Sequence, residues 1–174
     1  MLLGGSRPTG DVDFGLSLSA PREGFLPAVQ AAVGAAAAET GLRVQYSTDI
    51  DRWSSVSIPS ARRGTRSYRR LGRLSVRLLE PTCWAVYKLA RYLDSDVTDL
   101  RAVLRRERVP YLRLARLCGE SLRVSPRSPQ LLLFRRQVEH FFRAHGRAIW
   151  GPRFDPETAI AAFHRAAAIG TRPA

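Results

Sequence analysis

Apolar and polar positions alternate through DVDFGLSLS at residues 11–19: Val12, Phe14, Leu16 and Leu18 fall on one side, Asp11, Asp13 and Gly15 on the other. A period of two is that of a strand with one buried face. The alternation stops at LPAVQAAVGAAAAET, residues 26–40, whose alanines favour a helix, with Gly41 as its stop. LRVQYS (42–47) and SSVSIPS (54–60) read as short strands. ARRGTRSYRRLGR (61–73) reads as a basic loop, and LSVRLLEP (74–81) as a strand ended by Pro81.

Beyond Pro81 the apolar spacing lengthens to that of helices. TCWAVYKLARYL (82–93) carries a Trp-Tyr-Leu face. DSDVTDLRAVLRRER (94–108) restarts with Asp94 or Ser95 as N-cap. PYLRLARLCG (110–119) predicts a short helix closed by Gly119. SPQLLLFRRQVEHFFRAHG (128–146) is strongly amphipathic behind a capping serine. DPETAIAAFHRAAAIG (155–170) has Asp155 as N-cap, Pro156 in the first turn and Gly170 as stop. The pattern predicts an α+β fold, with a small mixed sheet and flanking helices over residues 1–80 and a helical lobe over 81–174.

Composition adds a strong charge. The 174 residues carry a formal net charge of +13, a field that favours polyanions such as RNA. An arginine- and alanine-heavy composition also arises from GC-rich coding, whatever the protein does. Against that background, Lys88 is the one lysine among the Lys+Arg side chains, which marks a position where a compact ammonium is used. Cys83 and Cys118 lack metal-ligand spacing and read as reduced core thiols; His140, His145 and His164 are too scattered to suggest zinc. No apolar run reaches the ~20 residues of a membrane span, and no signal-peptide pattern opens the chain. A cytoplasmic protein without a membrane partner is the expectation.

Residues i and i+2 of a strand share a side, so Asp11 and Asp13 project together. Paired carboxylates repel unless a hard divalent cation sits between them, and a Gly-rich turn, GGSRPTG, precedes them. Solvated strands also carry alternating acids, so the pair alone decides little.

The run RPTGDVDF has the form R-x-T-x-D-h-D-h, where h is apolar. It resembles the signature of the nucleotidyltransferase superfamily, especially its minimal bacterial members and the abortive-infection type toxins. LLEPTCWAVYKLARYLDSDVTDL (78–100) supplies a second ordered match: Glu80, then Lys88, then Asp96 and Asp99. The resemblance implies a nucleotidyltransferase-type sheet in which Asp11 and Asp13 hold Mg2+ on an NTP. It implies that Gly5 and Ser6 offer backbone N–H groups to phosphate, that Arg7 and Thr9 steady the turn or contact phosphate, and that Lys88 meets the triphosphate as a point charge. One of Asp96 and Asp99 would orient Lys88 or activate the acceptor hydroxyl. Read without the family, these two acids equally suit N-cap and first-turn chemistry, and Glu80 a structural role. The family's first strand and Gly-Gly turn would lie before Met1. A third metal carboxylate is unassigned; Asp49 and Asp51 are the nearest acids.

Arg62, Arg63, Arg66, Arg69, Arg70 and Arg73 surround Tyr68, a mixture suited to phosphate contact and base stacking. Arg101, Arg105, Arg106 and Arg108 make a second basic group. The expected activity is transfer of a nucleoside monophosphate to a hydroxyl on tRNA, another RNA or a partner protein, in the setting of a toxin with its antitoxin. The alternatives are a catalytically decayed fold that binds nucleic acid or protein, and a structural helical protein with an accidental D-x-D.

Overall fold

The computed structural model describes residues 11–15, 24–47, 54–60, 63–72 and 74–169. They form two compact units, divided between the segments ending at Ser47 and beginning at Ser54.

In the first unit, β1 (Asp11–Gly15) pairs in parallel with β2 (Arg43–Ser47), in a register that sets Asp11 opposite Arg43 and Asp13 opposite Gln45. Parallel neighbours need a crossover, and α1 (Phe25–Thr40) provides it. Phe25, Val29, Val33 and Ala37 recur one turn apart and form the half-buried stripe of this otherwise exposed helix. Gly41 ends it in the left-handed conformation (φ 68°), returning its N–H to Ala37 O at 2.9 Å.

The second unit opens with Ser54–Ser60. The expected strand is absent there. Val56 and Ile58 do enter the core, as their alternation implied, but the Val56 N–H donates to Ser54 Oγ and the Ser57 N–H to Ser125 Oγ at 2.8 Å. Serine hydroxyls thus satisfy donors that a ladder would have used. The basic segment expected as a loop is instead β3 (Thr65–Leu71), antiparallel to β4 (Leu74–Leu79), with Gly72 at φ 58° in the connecting turn. Every β3 residue is exposed, so no buried face imposed a readable alternation. Among the described residues the strands thus form one parallel and one antiparallel pair, in an α+β fold.

Five helices follow. α2 (Pro81–Arg91) has proline in its first turn, and Tyr92 ends it at φ 55°. α3 (Asp94–Arg106) is capped by Leu93, not by Asp94 or Ser95: the Asp96 carboxylate reaches back to the Leu93 N–H at 3.2 Å. α4 (Tyr111–Val124) runs through Gly119, the expected stop. A Cβ there would strike the Phe163 carbonyl and crowd Ala167 N, so this glycine permits close helix packing. α5 (Pro129–Trp150) likewise passes Gly146, against which the Phe154 ring packs, and ends at Gly151. Its Ser128 cap makes no side-chain hydrogen bond. In α6 (Pro156–Ala166) the Asp155 carboxylate accepts from Glu157 N at 3.2 Å and Thr158 N at 3.0 Å, as the sequence implied. The expected stop at Gly170 lies outside the described residues.

Phe134, Phe141, Phe142 and Phe163, with Leu89, Leu100, Leu104 and Leu114, are fully buried. Each contributes about 1.5–3 kcal/mol of apolar burial, enough to make this helical core the rigid support for what its surface carries. Cys83 and Cys118 are free thiols inside it. Among the described residues, no helix is long and apolar enough to cross a membrane.

Candidate functional site

The junction of α2 and α3 gathers three of the residues singled out in the sequence. Lys88 is one turn before the end of α2; Asp96 and Asp99 lie in the first two turns of α3. The left-handed Tyr92 reverses the chain between them. Lys88 Nζ donates to Asp96 Oδ1 at 2.8 Å and to Asp99 Oδ2 at 3.1 Å, and lies 5.4 Å from the centre of the Trp84 ring. Asp96 is wholly buried, whereas the Lys88 side chain keeps 18% of its surface exposed. Two of the three ammonium N–H groups are engaged by these carboxylates.

A fourth member escaped sequence reasoning. Arg91 grips Asp96 in bidentate fashion, Nε to Oδ2 at 2.8 Å and Nη2 to Oδ1 at 2.6 Å. Its spacing of three from Lys88 puts both cations near one face of α2, but among so many arginines nothing in the sequence set it apart. Burial pushes the Asp96 carboxyl up, yet hydrogen bonds from Arg91 and Lys88, with the Leu93 N–H, prevail and bring it down to about 2. Asp96 is therefore a fixed anion near neutrality. With two cations and two carboxylates, the cluster is formally neutral.

Glu80 caps α2 at its other end and pairs with Arg113 at 2.7 Å, in keeping with a structural role. Of the basic segment, Arg66, Tyr68, Arg69 and Arg70 lie on β3, Arg63 just before it. Arg66 pairs with Glu107 at 3.0 Å, and Arg106 with the same carboxylate at 2.9 Å. Those two arginines hold Glu107 below the usual carboxylate range. Arg101 and Arg105 lie on α3, and Arg108 follows it at φ 50°.

Asp11 and Asp13 occupy alternate positions of β1. Gly5, Ser6, Arg7, Thr9, Asp49, Asp51, Arg62 and Arg73 lie outside the described residues. Among those described, no group of three His, Cys, Asp or Glu side chains is arranged to hold a metal ion.

Comparison of the chain with protein-family models, with curated proteins and with solved structures gives no match.

Proposed function

We propose that the protein is a Mg-dependent nucleotidyltransferase that moves a nucleoside monophosphate from an NTP to a hydroxyl of an RNA acceptor such as tRNA. The observation that carries this reading is the convergence of Lys88, Asp96 and Asp99. Residues eight and eleven positions apart, picked out together by the sequence pattern, meet within hydrogen-bond distance around one partly exposed ammonium.

The roles follow from the chemistry. Lys88 offers its remaining N–H and its charge to the triphosphate. Asp96, ionised and clamped by Arg91, positions that ammonium. Asp99, the second carboxylate on Lys88, takes the acceptor's proton as the hydroxyl oxygen attacks the α-phosphorus and pyrophosphate leaves. Asp11 and Asp13, two positions apart on β1, have the hard-oxygen chemistry that Mg2+ takes, and the ion when bound supplies charge neutralisation on the phosphates. A partner protein as acceptor and an antitoxin as binding partner belong to the same reading.

A second reading, a catalytically decayed fold that only binds nucleic acid, draws on the exposed arginines of β3. Incubation of the purified chain with each labelled NTP, Mg2+ and total tRNA separates the two. Label should pass to RNA with the wild type and fail with Lys88→Met and with Asp11→Ala/Asp13→Ala. Equal labelling by wild type and both variants, or none by the wild type, overturns the transferase reading.

A further inference from the structure

The ladder of the β3–β4 hairpin has a fault that sorts its arginines. Ser67 pairs with Arg77 and Arg69 with Val76, so Tyr68 is an extra residue opposite no position of β4. Plain alternation would group Arg66, Tyr68 and Arg70 on one face. The bulge shifts the phase. Cross-strand partners share a face, as do residues two apart on β4. Arg66, opposite Leu78, therefore shares a face with Arg69, opposite Val76, and Val76 and Leu78 are half-buried. Arg70, opposite Ser75, joins Ser67 and Arg77 on the other face, which is polar and exposed at these four positions; Leu79, at its far end opposite Thr65, packs against the core.

The two faces differ in what their arginines have left to give. Arg66 is committed to Glu107. On the polar face, Arg77 donates through Nε to Thr65 Oγ1 at 2.7 Å and through Nη2 to the Thr65 carbonyl at 3.0 Å, while Arg70 donates through Nε to the Gly72 carbonyl at 3.2 Å. These bonds orient both guanidiniums and still leave Nη groups for an anion. Tyr68, with 52% of its surface exposed, has no cross-strand partner on β4. Two oriented guanidiniums and an exposed aromatic at the bulge of the same hairpin match a phosphodiester with a base whose face is free, and only unpaired bases offer that face.

We infer that the polar face of this hairpin, Arg70 and Arg77 with bulged Tyr68, docks a single-stranded segment of RNA. The inference rests on the reading of RNA as acceptor and names which part of the RNA is held and by which residues. The charge complementarity of a +13 chain supports the same partner.

The test is equilibrium binding of a labelled oligouridylate, with no NTP or Mg2+, to the full chain. Arg70→Ala/Arg77→Ala should weaken binding at least tenfold and lower the slope of log K against log salt by about 1.4, roughly 0.7 per lost phosphate contact. Tyr68→Ala should weaken it about tenfold and Tyr68→Phe hardly at all. Arg66→Ala/Arg69→Ala, which removes the same charge from the other face, should change it less than threefold. All four sets lie at exposed positions, and circular dichroism checks their folding. Equal losses for the two double variants, full binding by Tyr68→Ala, or equally tight binding of an RNA duplex overturns the proposal; tighter binding of the matching deoxyoligomer overturns its assignment to RNA. Because no transfer is measured, an inactive enzyme that still shows this pattern refutes the transferase reading alone. An active enzyme with equal losses refutes the hairpin alone.

Discussion

Replacing Asp96 by Asn removes one charge from the α2–α3 junction and almost no volume. The amide oxygen can still accept from Leu93 N–H or Lys88, but the bidentate match to Arg91 is lost. The carboxyl falls from an ordinary 3.8 to about 2 in the folded protein. At about 1.4 kcal/mol per pKa unit, this difference stabilises the folded state by roughly 2 kcal/mol. The folded pKa lies below the unfolded one. The unfolded chain therefore takes up the proton first as pH drops. The stabilisation is complete above about pH 5, declines through the pH 4 region and is gone near pH 2. Denaturant unfolding of wild type and Asp96→Asn along this series is the assay. The wild type should be more stable by roughly 2 kcal/mol at pH 7, with the gap closing toward pH 2. Other carboxylates held low in the folded state, such as Glu107 and Glu139, titrate in both proteins and cancel in the difference. A gap that stays constant from pH 7 to the acid limit, or no gap at pH 7, would refute the view that Asp96 is a clamped anion.

Two further outcomes follow from the packing. Gly119→Ala drives a methyl against the Phe163 carbonyl and Ala167 N; forcing α4 from α6 should cost about 1–3 kcal/mol in chemical denaturation, and an unchanged midpoint would show that the helices are not so close. Asp155→Ala strips the acceptors from Glu157 N and Thr158 N and should lower the melting temperature. Asp155→Asn, which keeps an acceptor, should lower it less; equal losses would locate the effect in charge and not in capping.

The helices were legible because a buried stripe at a period near 3.6 leaves a strong trace, as in α5, where Phe134, Val138, Phe141 and Phe142 recur on one side. Their ends were less so. Gly119 and Gly146 carry the residue type of a stop but answer to residues outside their own helices, Phe163 and Phe154. β3 was illegible for the opposite reason: with both faces exposed, arginines met no selection for alternation. Ser54–Ser60 had the right burial pattern and the wrong backbone, since Ser125 supplies its hydrogen bond from the end of α4. In the candidate site, Lys88 stood out by its rarity and the two aspartates by their spacing, whereas Arg91 was hidden by abundance.

The double carboxylate grip on Lys88 also bears on the entropy of any later encounter. A free lysine side chain samples many rotamers and forfeits up to ~2 kcal/mol of entropy when it is pinned. Here Asp96 and Asp99 impose that loss when the chain folds, before any ligand arrives. An anion meeting Lys88 thus meets a stationary charge instead of a swinging arm, and the association avoids the ordering penalty a surface lysine would incur.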